Sequence, residues 1–166
     1  MSTTMIIGVG NPYRGDDCVG LIIARRLKHS LGDLVCVLEQ SGEGAALLEA
    51  WRGAQTLIII DAVKSGAEAG SIHRFDAQER MLPGHFFHYS THAFAVAEAI
   101  ELARALGELP PRVVVYGIEG KNFAAGTELS EEVREAVSEV VKRIEAECEP
   151  MSPHARTTDR YSCWNH

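Results

Sequence analysis

Three side chains with metal-binding chemistry stand where strand-like and loop-like segments end. Asp17 follows a glycine-rich loop at residues 8–16, Asp61 follows the apolar run 57–60, and His92 opens a helical stretch after Ser90-Thr91. Two carboxylates and one imidazole supply the oxygen and nitrogen donors that suit a divalent transition metal. The sequence therefore predicts a metal site, provided that the fold brings the three residues to one edge of a sheet.

The aspartates also have purely structural interpretations. Asp16 and Asp17 could both cap the helix that follows them, because an aspartate near a helix start accepts bonds from unpaired amides. Asp61 could be a turn former at the end of its strand.

His85 and His88 offer a second set of ligands with His92, because His88 and His92 would share a face if the segment were helical. The sequence favours His92 alone, since Pro83-Gly84 predicts a loop first.

The composition describes an ordinary globular domain. The chain has 166 residues, of which 46% are hydrophobic and 23% charged, so it can bury a core without disulfides. A net charge of −7 argues against nucleic acid or an anionic membrane as the main partner. Neither a signal peptide nor a membrane-spanning run is recognisable. The four cysteines are far apart and form no C-x-x-C pair, which predicts reduced thiols and a cytoplasmic protein.

Strand-like and helix-like segments alternate along the chain. Apolar runs predict buried strands at residues 5–9, 34–38, 56–60 and 112–118, and an alternating pattern predicts an edge strand at 70–75. Helical spacing predicts helices at residues 18–31, 45–51, 91–106 and 130–147, the last with Ser130 as its N-cap.

This order predicts an α/β three-layer sandwich. Its twisted sheet has about five mostly parallel strands, with one antiparallel edge and helices on both faces. We expect one domain over residues 1–149 and a flexible tail over 150–166, which is polar and has no apolar period. In such folds ligands bind beyond the carboxyl ends of the strands, where the strand order reverses. Asp17 and Asp61 follow two of those ends. His92, in the first turn of its helix, would be kept neutral by the helix dipole, as metal binding requires.

The glycine-rich loop has a weaker alternative interpretation as a nucleotide site. Gly8-x-Gly10 followed by Gly15 is similar to a dinucleotide fingerprint, but the third glycine is misplaced. Asp16 and Asp17 would also repel a pyrophosphate.

At these same positions the chain resembles the hydrogenase maturation endopeptidases. Gly8-Val9-Gly10-Asn11 with Asp16-Asp17-x-x-Gly20 is similar to the first motif of that family, and residues 57–62 and 90–94 are similar to its second and third motifs. The resemblance extends from about Met5 to Glu147, and the one departure is Cys18, where the family often has glycine or alanine.

The resemblance implies an enzyme that removes a C-terminal peptide from the large-subunit precursor of a nickel-iron hydrogenase once nickel is in place. It implies that Asp17, Asp61 and His92 bind that nickel, which the precursor supplies, and that the protein acts as a monomer without a tightly bound cofactor. The shared metal would position the substrate and polarise the scissile carbonyl, while Asp17 or Asp16 takes a proton from the attacking water. Two other functions stay open: a nickel-binding maturation chaperone without protease activity, and a nucleotide- or phosphate-binding hydrolase.

Overall fold

The structure, a computed structural model, describes residues 3–83 and 95–149 of the chain. The first part contains strands and helices in the order β1 (Thr4–Val9), α1 (Val19–Leu31), β2 (Cys36–Gln40), α2 (Gly44–Ala50), β3 (Thr56–Val63) and β4 (Ile72–Asp76). The second part contains α3 (Val96–Leu106), β5 (Arg112–Glu119) and α4 (Glu131–Cys148). Short 3-10 turns at Gly15–Cys18 and Gly32–Leu34 precede and follow α1.

The five strands form one sheet in the order β2-β1-β3-β5-β4. β1 pairs in parallel with β2 and β3, and β3 pairs in parallel with β5. β4 alone runs antiparallel, at the edge beside β5. The predicted fold class, a mostly parallel sheet with one antiparallel edge strand, is confirmed.

Two separate apolar cores lie on the two faces of the sheet, because side chains alternate between the faces along each strand. One face carries Ile7, Ile59 and Val115 and is covered by α2 and α3. The other carries Ile6, Ile58 and Val114 and is covered by α1 and α4. The central strands are therefore apolar throughout, as expected for a parallel sheet that is buried on both sides.

Two element boundaries differ from the prediction in ways that affect the site. β3 continues to Val63 instead of ending at Ile60, because its pairing with β5 extends through Asp61 and Ala62 to Val63. α3 begins at Val96 instead of Thr91, since Ala95 has an extended backbone and stands at the N-cap. β2 also begins two residues later than predicted, because the turn Gly32–Leu34 contains Leu34.

Close backbone packing explains the glycines at the start of the chain. A Cβ atom on Gly8 would lie 2.4 Å from the carbonyl oxygen of Gly20, and one on Gly10 would lie 2.0 Å from that of Asp17. Gly20 in turn packs against the carbonyl oxygens of Val9 and Ile60. These glycines allow α1 to lie directly on β1 and β3, which gives the glycine-rich segment a role that needs no nucleotide.

Across the described part of the chain, no helix has both the length and the apolar character needed to cross a membrane.

Candidate metal and catalytic site

The strand order reverses between β1 and β3. From β1 the chain goes to β2 on one side, and it then returns to place β3 on the other side of β1. Ligands of doubly wound α/β folds bind at the carboxyl edge beside such a point. Asp17 lies in the turn that follows β1, and Asp61 lies near the carboxyl end of β3.

Asp61 is a buried carboxylate on the sheet face that α3 covers. It lies within β3, two residues before the end of the strand, and pairs with Gly117 of β5. Ile60 and Ala62 belong to the core under α1 and α4, so Asp61 points to the opposite face, with Ile59 and Val63. Its exposed fraction is 9%. Burial, and next the nearby charge of Asp17, raise the pKa of Asp61 well above its usual value, against a hydrogen bond from the Ala62 backbone.

Asp17 is half-buried and lies close enough to Asp61 for their charges to interact. Its Oδ2 atom accepts a hydrogen bond of 3.0 Å from the backbone N–H of Asn11. Burial raises the pKa of Asp17, and the Asn11 hydrogen bond and the positive charge of Arg14 only partly oppose this. Two acidic groups therefore interact in a partly dry environment, which favours binding of a cation near both.

Asp16 has a different role from Asp17. Its side chain is fully buried and accepts four hydrogen bonds, all from the segment between β5 and α4. The donors are the backbone N–H groups of Lys121, Asn122 and Ser130, at 2.7–2.9 Å, and the Ser130 hydroxyl, at 2.9 Å. Burial raises the pKa of Asp16, but these hydrogen bonds outweigh it and hold the pKa below the usual value.

These hydrogen bonds give Asp16 a structural role and favour Asp17 over Asp16 as the candidate ligand. The Asp16 carboxylate ties the turn after β1 to the start of α4. Ser130 does stand at the N-cap of α4, as predicted. Its hydroxyl, however, donates to Asp16 instead of capping the helix.

His92 lies outside the described residues, as do the alternative ligands His85 and His88. The prediction that the helix dipole keeps His92 neutral depended on a helix that begins at Thr91, whereas α3 begins at Val96. Within residues 3–83 and 95–149, no three His, Cys, Asp or Glu side chains come together as a group that could hold a metal ion.

Other polar groups at this edge of the sheet are used within the protein. The Oδ1 atom of Asn11 accepts the backbone N–H of Tyr13 at 2.9 Å. Glu119, at the end of β5, is buried and accepts hydrogen bonds from the Ser65 hydroxyl and from the backbone N–H groups of Ser65 and Gly66. Cys18 is buried, and burial raises the pKa of its thiol, so it is a poor nucleophile or soft ligand.

The sequence analysis missed Arg14. It is the positive charge that acts on Asp17, and it stands three residues before it on the same loop. A cation this close to a predicted metal ligand was the signal available in the sequence.

The fold and the site define an α/β protein that places an acidic pair at its topological switch point. The hydrogenase maturation protease family, described as HycI, matches residues 22–147. This match covers most of the chain, which therefore belongs to the hydrogenase maturation protease family. It is accordingly a peptidase of hydrogenase maturation, as the resemblance in the sequence implied.

Individual relatives agree with this assignment. The chain is 24% identical over 169 residues to the hydrogenase expression/formation protein HupD of Bradyrhizobium diazoefficiens, a match that covers 95% of this chain and 82% of that protein. It is 28% identical over 117 residues to the hydrogenase 2 maturation protease of Escherichia coli, where the match covers 69% of this chain and 71% of that protein.

Solved structures share the fold. The hydrogenase maturating endopeptidase HybD from E. coli has a TM-score of 0.71 at 20% identity, and the match covers 87% of this chain and 91% of that one. The [NiFe] hydrogenase maturation protease HybD from Thermococcus kodakarensis has a TM-score of 0.67 at 23% identity, with 89% and 99% covered. At these identities the likeness establishes the fold alone.

Proposed function

We propose that this protease removes a C-terminal peptide from the large-subunit precursor of a [NiFe] hydrogenase after nickel has been inserted. We further propose that Asp17, Asp61 and His92 recognise that nickel. The observation that supports this most directly is the pair Asp17 and Asp61, two carboxylates that interact at the switch point of a chain in this family. The resemblance of residues 90–94 to the third family motif supports His92 as the third ligand.

The sheet face on which the Asp61 side chain lies supports His92 as the third ligand. Asp61 points to the sheet face that α2 and α3 cover, and Val96, the first residue of α3, belongs to the same core as Ile59 and Val63. His92 stands only four residues before Val96 in the sequence, and α3 lies on the face of Asp61. The imidazole of His92 would complete an O, O, N donor set.

Nickel in this proposal is part of the substrate. Three protein donors leave coordination positions open, so the ion can remain bound to groups of the precursor while the protease contacts it. The ion then places the precursor's C-terminal segment at the site and can polarise the scissile carbonyl. Asp17, which is half-buried and has a raised pKa, is our choice for the group that accepts a proton from the attacking water.

We place the enzyme in the cytoplasm, acting as a monomer on one large protein partner, with neither nucleic acid nor membrane as a partner. The three cysteines that the structure describes, Cys18, Cys36 and Cys148, are free thiols, which supports a reducing compartment. The net charge of −7 supports the exclusion of nucleic acid.

The decisive experiment incubates the purified protein with a nickel-loaded and a nickel-free precursor and measures precursor mass. We expect shortening at the C-terminus with the loaded precursor only, and no shortening with Asp17→Asn, Asp61→Asn or His92→Ala. Asp33→Asn and His29→Ala are matched controls, because both residues are exposed and lie outside the site. A loaded precursor that binds the wild-type protein but stays intact would instead indicate a chaperone.

A further inference from the structure

Hydrogen bonds to its backbone groups hold the loop between β1 and the turn at Gly15–Cys18. The Tyr13 N–H donates to Asn11 Oδ1, the Arg14 N–H donates to the Asn11 carbonyl at 3.3 Å, and the Asp17 N–H donates to the Arg14 carbonyl at 3.1 Å. The Gly126 N–H donates to the Tyr13 carbonyl at 2.9 Å, which joins the loop to the segment before α4. The loop is therefore preorganised without any help from the side chains of Tyr13 and Arg14.

The side chains of Tyr13 and Arg14 are large, and neither takes part in the hydrogen bonds that hold the loop. Tyr13 is 71% exposed, the highest value among the large hydrophobic residues that the structure describes. Arg14 is half-buried, yet its guanidinium makes no hydrogen bond, ion pair or ring contact with any described residue. Each of the other nine described arginines makes at least one.

Arg14 also lies near Asp17. Its charge acts on Asp17, while the Oδ2 atom of Asp17 bonds to the backbone of Asn11 instead. The guanidinium therefore keeps its full set of N–H donors at the rim of the site. Those donors match the two oxygens of a carboxylate, which an arginine can bind with two parallel hydrogen bonds.

The acidic residues of the site disfavour a substrate carboxylate in their own neighbourhood. Asp17 and Asp61 repel any anion that approaches the switch point, and the protein as a whole carries a net charge of −7. A carboxylate on the substrate would therefore be directed to Arg14. Tyrosine and arginine are also enriched, together with tryptophan, among the residues that contribute most to binding at protein interfaces.

We infer that Tyr13 and Arg14 form the substrate-selecting rim of this protease, and that Arg14 pairs with a carboxylate of the precursor next to the scissile bond. This inference rests on the proposed function and adds to it a specificity determinant. The carboxylate belongs to an acidic side chain or to the precursor's own chain end. Arg14 acts mainly on binding, so its removal weakens recognition of the precursor more than it changes the chemical step, which it affects only through its charge beside Asp17.

The test compares Arg14→Gln, Arg14→Lys and Arg14→Glu with the wild-type enzyme in steady-state processing of a nickel-loaded precursor. Loss of a charge-assisted pair predicts a KM higher by about 10-fold or more for Arg14→Gln, with a much smaller change in kcat. Arg14→Lys should be intermediate because lysine keeps the charge but not the paired donors. Arg52→Gln is the matched control, since Arg52 is exposed at the end of α2.

Changes in the precursor identify the source of the carboxylate. Replacing acidic residues near the cleavage site with Gln, one at a time, should reproduce the KM of Arg14→Gln at one position. A precursor extended by a few residues tests its terminal carboxylate in the same way. The matching change should then have no further effect in the Arg14→Gln enzyme, because both partners of one pair are already lost.

Three results would overturn the inference while the wild-type enzyme still cleaves. The first is an unchanged KM for Arg14→Gln. The second is an Arg14→Lys enzyme identical to wild type together with a shifted pH profile for Arg14→Gln, which would make Arg14 only a neutralising charge for Asp17. The third is that no replacement of a precursor carboxylate changes the KM of the wild-type enzyme. If the wild-type enzyme cleaves nothing, the proposed function itself has failed.

Discussion

Asp16 and Asp17 are adjacent in the chain, but their carboxylates lie in opposite environments. Asp16 is buried, but its four hydrogen-bond donors outweigh burial and lower its pKa, whereas Asp17 has one backbone donor and burial raises its pKa. A carboxylate that is fully bonded inside the protein stabilises the fold, and one that repels its neighbour is available for a cation. This contrast separates the structural aspartate from the candidate ligand.

Asp61→Asn should make the protein more stable at neutral pH while abolishing processing. The folded-state pKa of Asp61 is raised above the usual 3.8, so its charge opposes folding at every pH above the folded pKa. This penalty is absent below pH 3.8, where the group is protonated in both states. We expect a Tm about 3 °C higher at pH 7, measured by calorimetry.

The difference between wild type and Asp61→Asn should disappear at acidic pH near 3. Asp33→Asn, on an exposed turn, is the control that should leave Tm unchanged at both pH values. A lower Tm for Asp61→Asn at pH 7 would mean that the charge of Asp61 is compensated in the folded protein.

Asp16→Ala should be strongly destabilising for the opposite reason. The change leaves three backbone N–H groups and the Ser130 hydroxyl without their acceptor in a buried place. We expect a loss of about 3 kcal/mol in the free energy of unfolding at pH 7, measured by urea denaturation. Because the pKa of Asp16 is lowered, its contribution is complete above pH 3.8 and is lost as the pH falls through the folded value.

Equal stability of Asp16→Ala and wild type at pH 7 would contradict the structural role. The choice between Asp16 and Asp17 could not be made from the sequence, because it depends on contacts with residues more than 100 positions away. In contrast, the sequence could predict that Asp17 and Asp61 lie near the carboxyl ends of strands, because each follows an apolar run that forms a strand.

At the scale of elements, the contact between α1 and the sheet decides where Asp17 lies. Gly20 of α1 packs so closely on β1 and β3 that a Cβ atom there would be 2.4 Å from the carbonyl oxygens of Val9 and Ile60. The turn that carries Asp17 joins β1 to α1, so this close packing sets its distance from Asp61. These glycines resemble those of a nucleotide-binding loop because both arrangements require backbone atoms to approach each other closely.

Gly20→Ala should therefore separate α1 from the sheet. Both atoms that the new methyl group would meet are backbone carbonyls, which cannot move aside as a side chain can. We expect a loss of about 3 kcal/mol in unfolding free energy and weaker processing, because Asp17 moves with α1. Urea denaturation and the precursor assay would measure the two effects.

Gly107→Ala is the matched control for this change. Gly107 ends α3 with a left-handed backbone, and nothing lies within 4 Å of a Cβ atom there. Its substitution should cost only about 1 kcal/mol, for the backbone conformation alone, and leave processing intact. A Gly20→Ala variant as stable as Gly107→Ala would contradict close packing of α1.

The order and type of elements could be predicted because apolar periodicity records burial directly. The ends of the strands and helices could not be predicted, because they depend on which neighbouring strands and loops they contact in the fold. β3 extends through Asp61 because β5 pairs with it as far as Glu119, and the sequence after Ile60 gives no sign of that pairing. α3 begins later than predicted because Ala95 is extended, although alanine itself favours helix.

At the scale of the whole molecule, α4 closes the second core and fixes the edge of the sheet. Its buried residues face the core under α1, and Glu147, in its last turn, binds Arg74 of β4 and both Arg112 and Tyr116 of β5. The chain is therefore tied together as far as the end of α4. The family match also ends there, at residue 147.

A protein truncated after Glu149 should accordingly keep its fold and its activity. Every strand, helix and buried contact described above lies within residues 3–149, and removal of 150–166 deletes none of them. We expect a Tm within about 2 °C of the full chain and an unchanged kcat/KM in the precursor assay. Truncation after Ile144 is the matched comparison, because it also removes Glu147 and the last turn of α4, and it should lower Tm markedly. A stable but inactive 1–149 protein would assign residues 150–166 a part in recognition of the precursor and would contradict the prediction that they are only a tail.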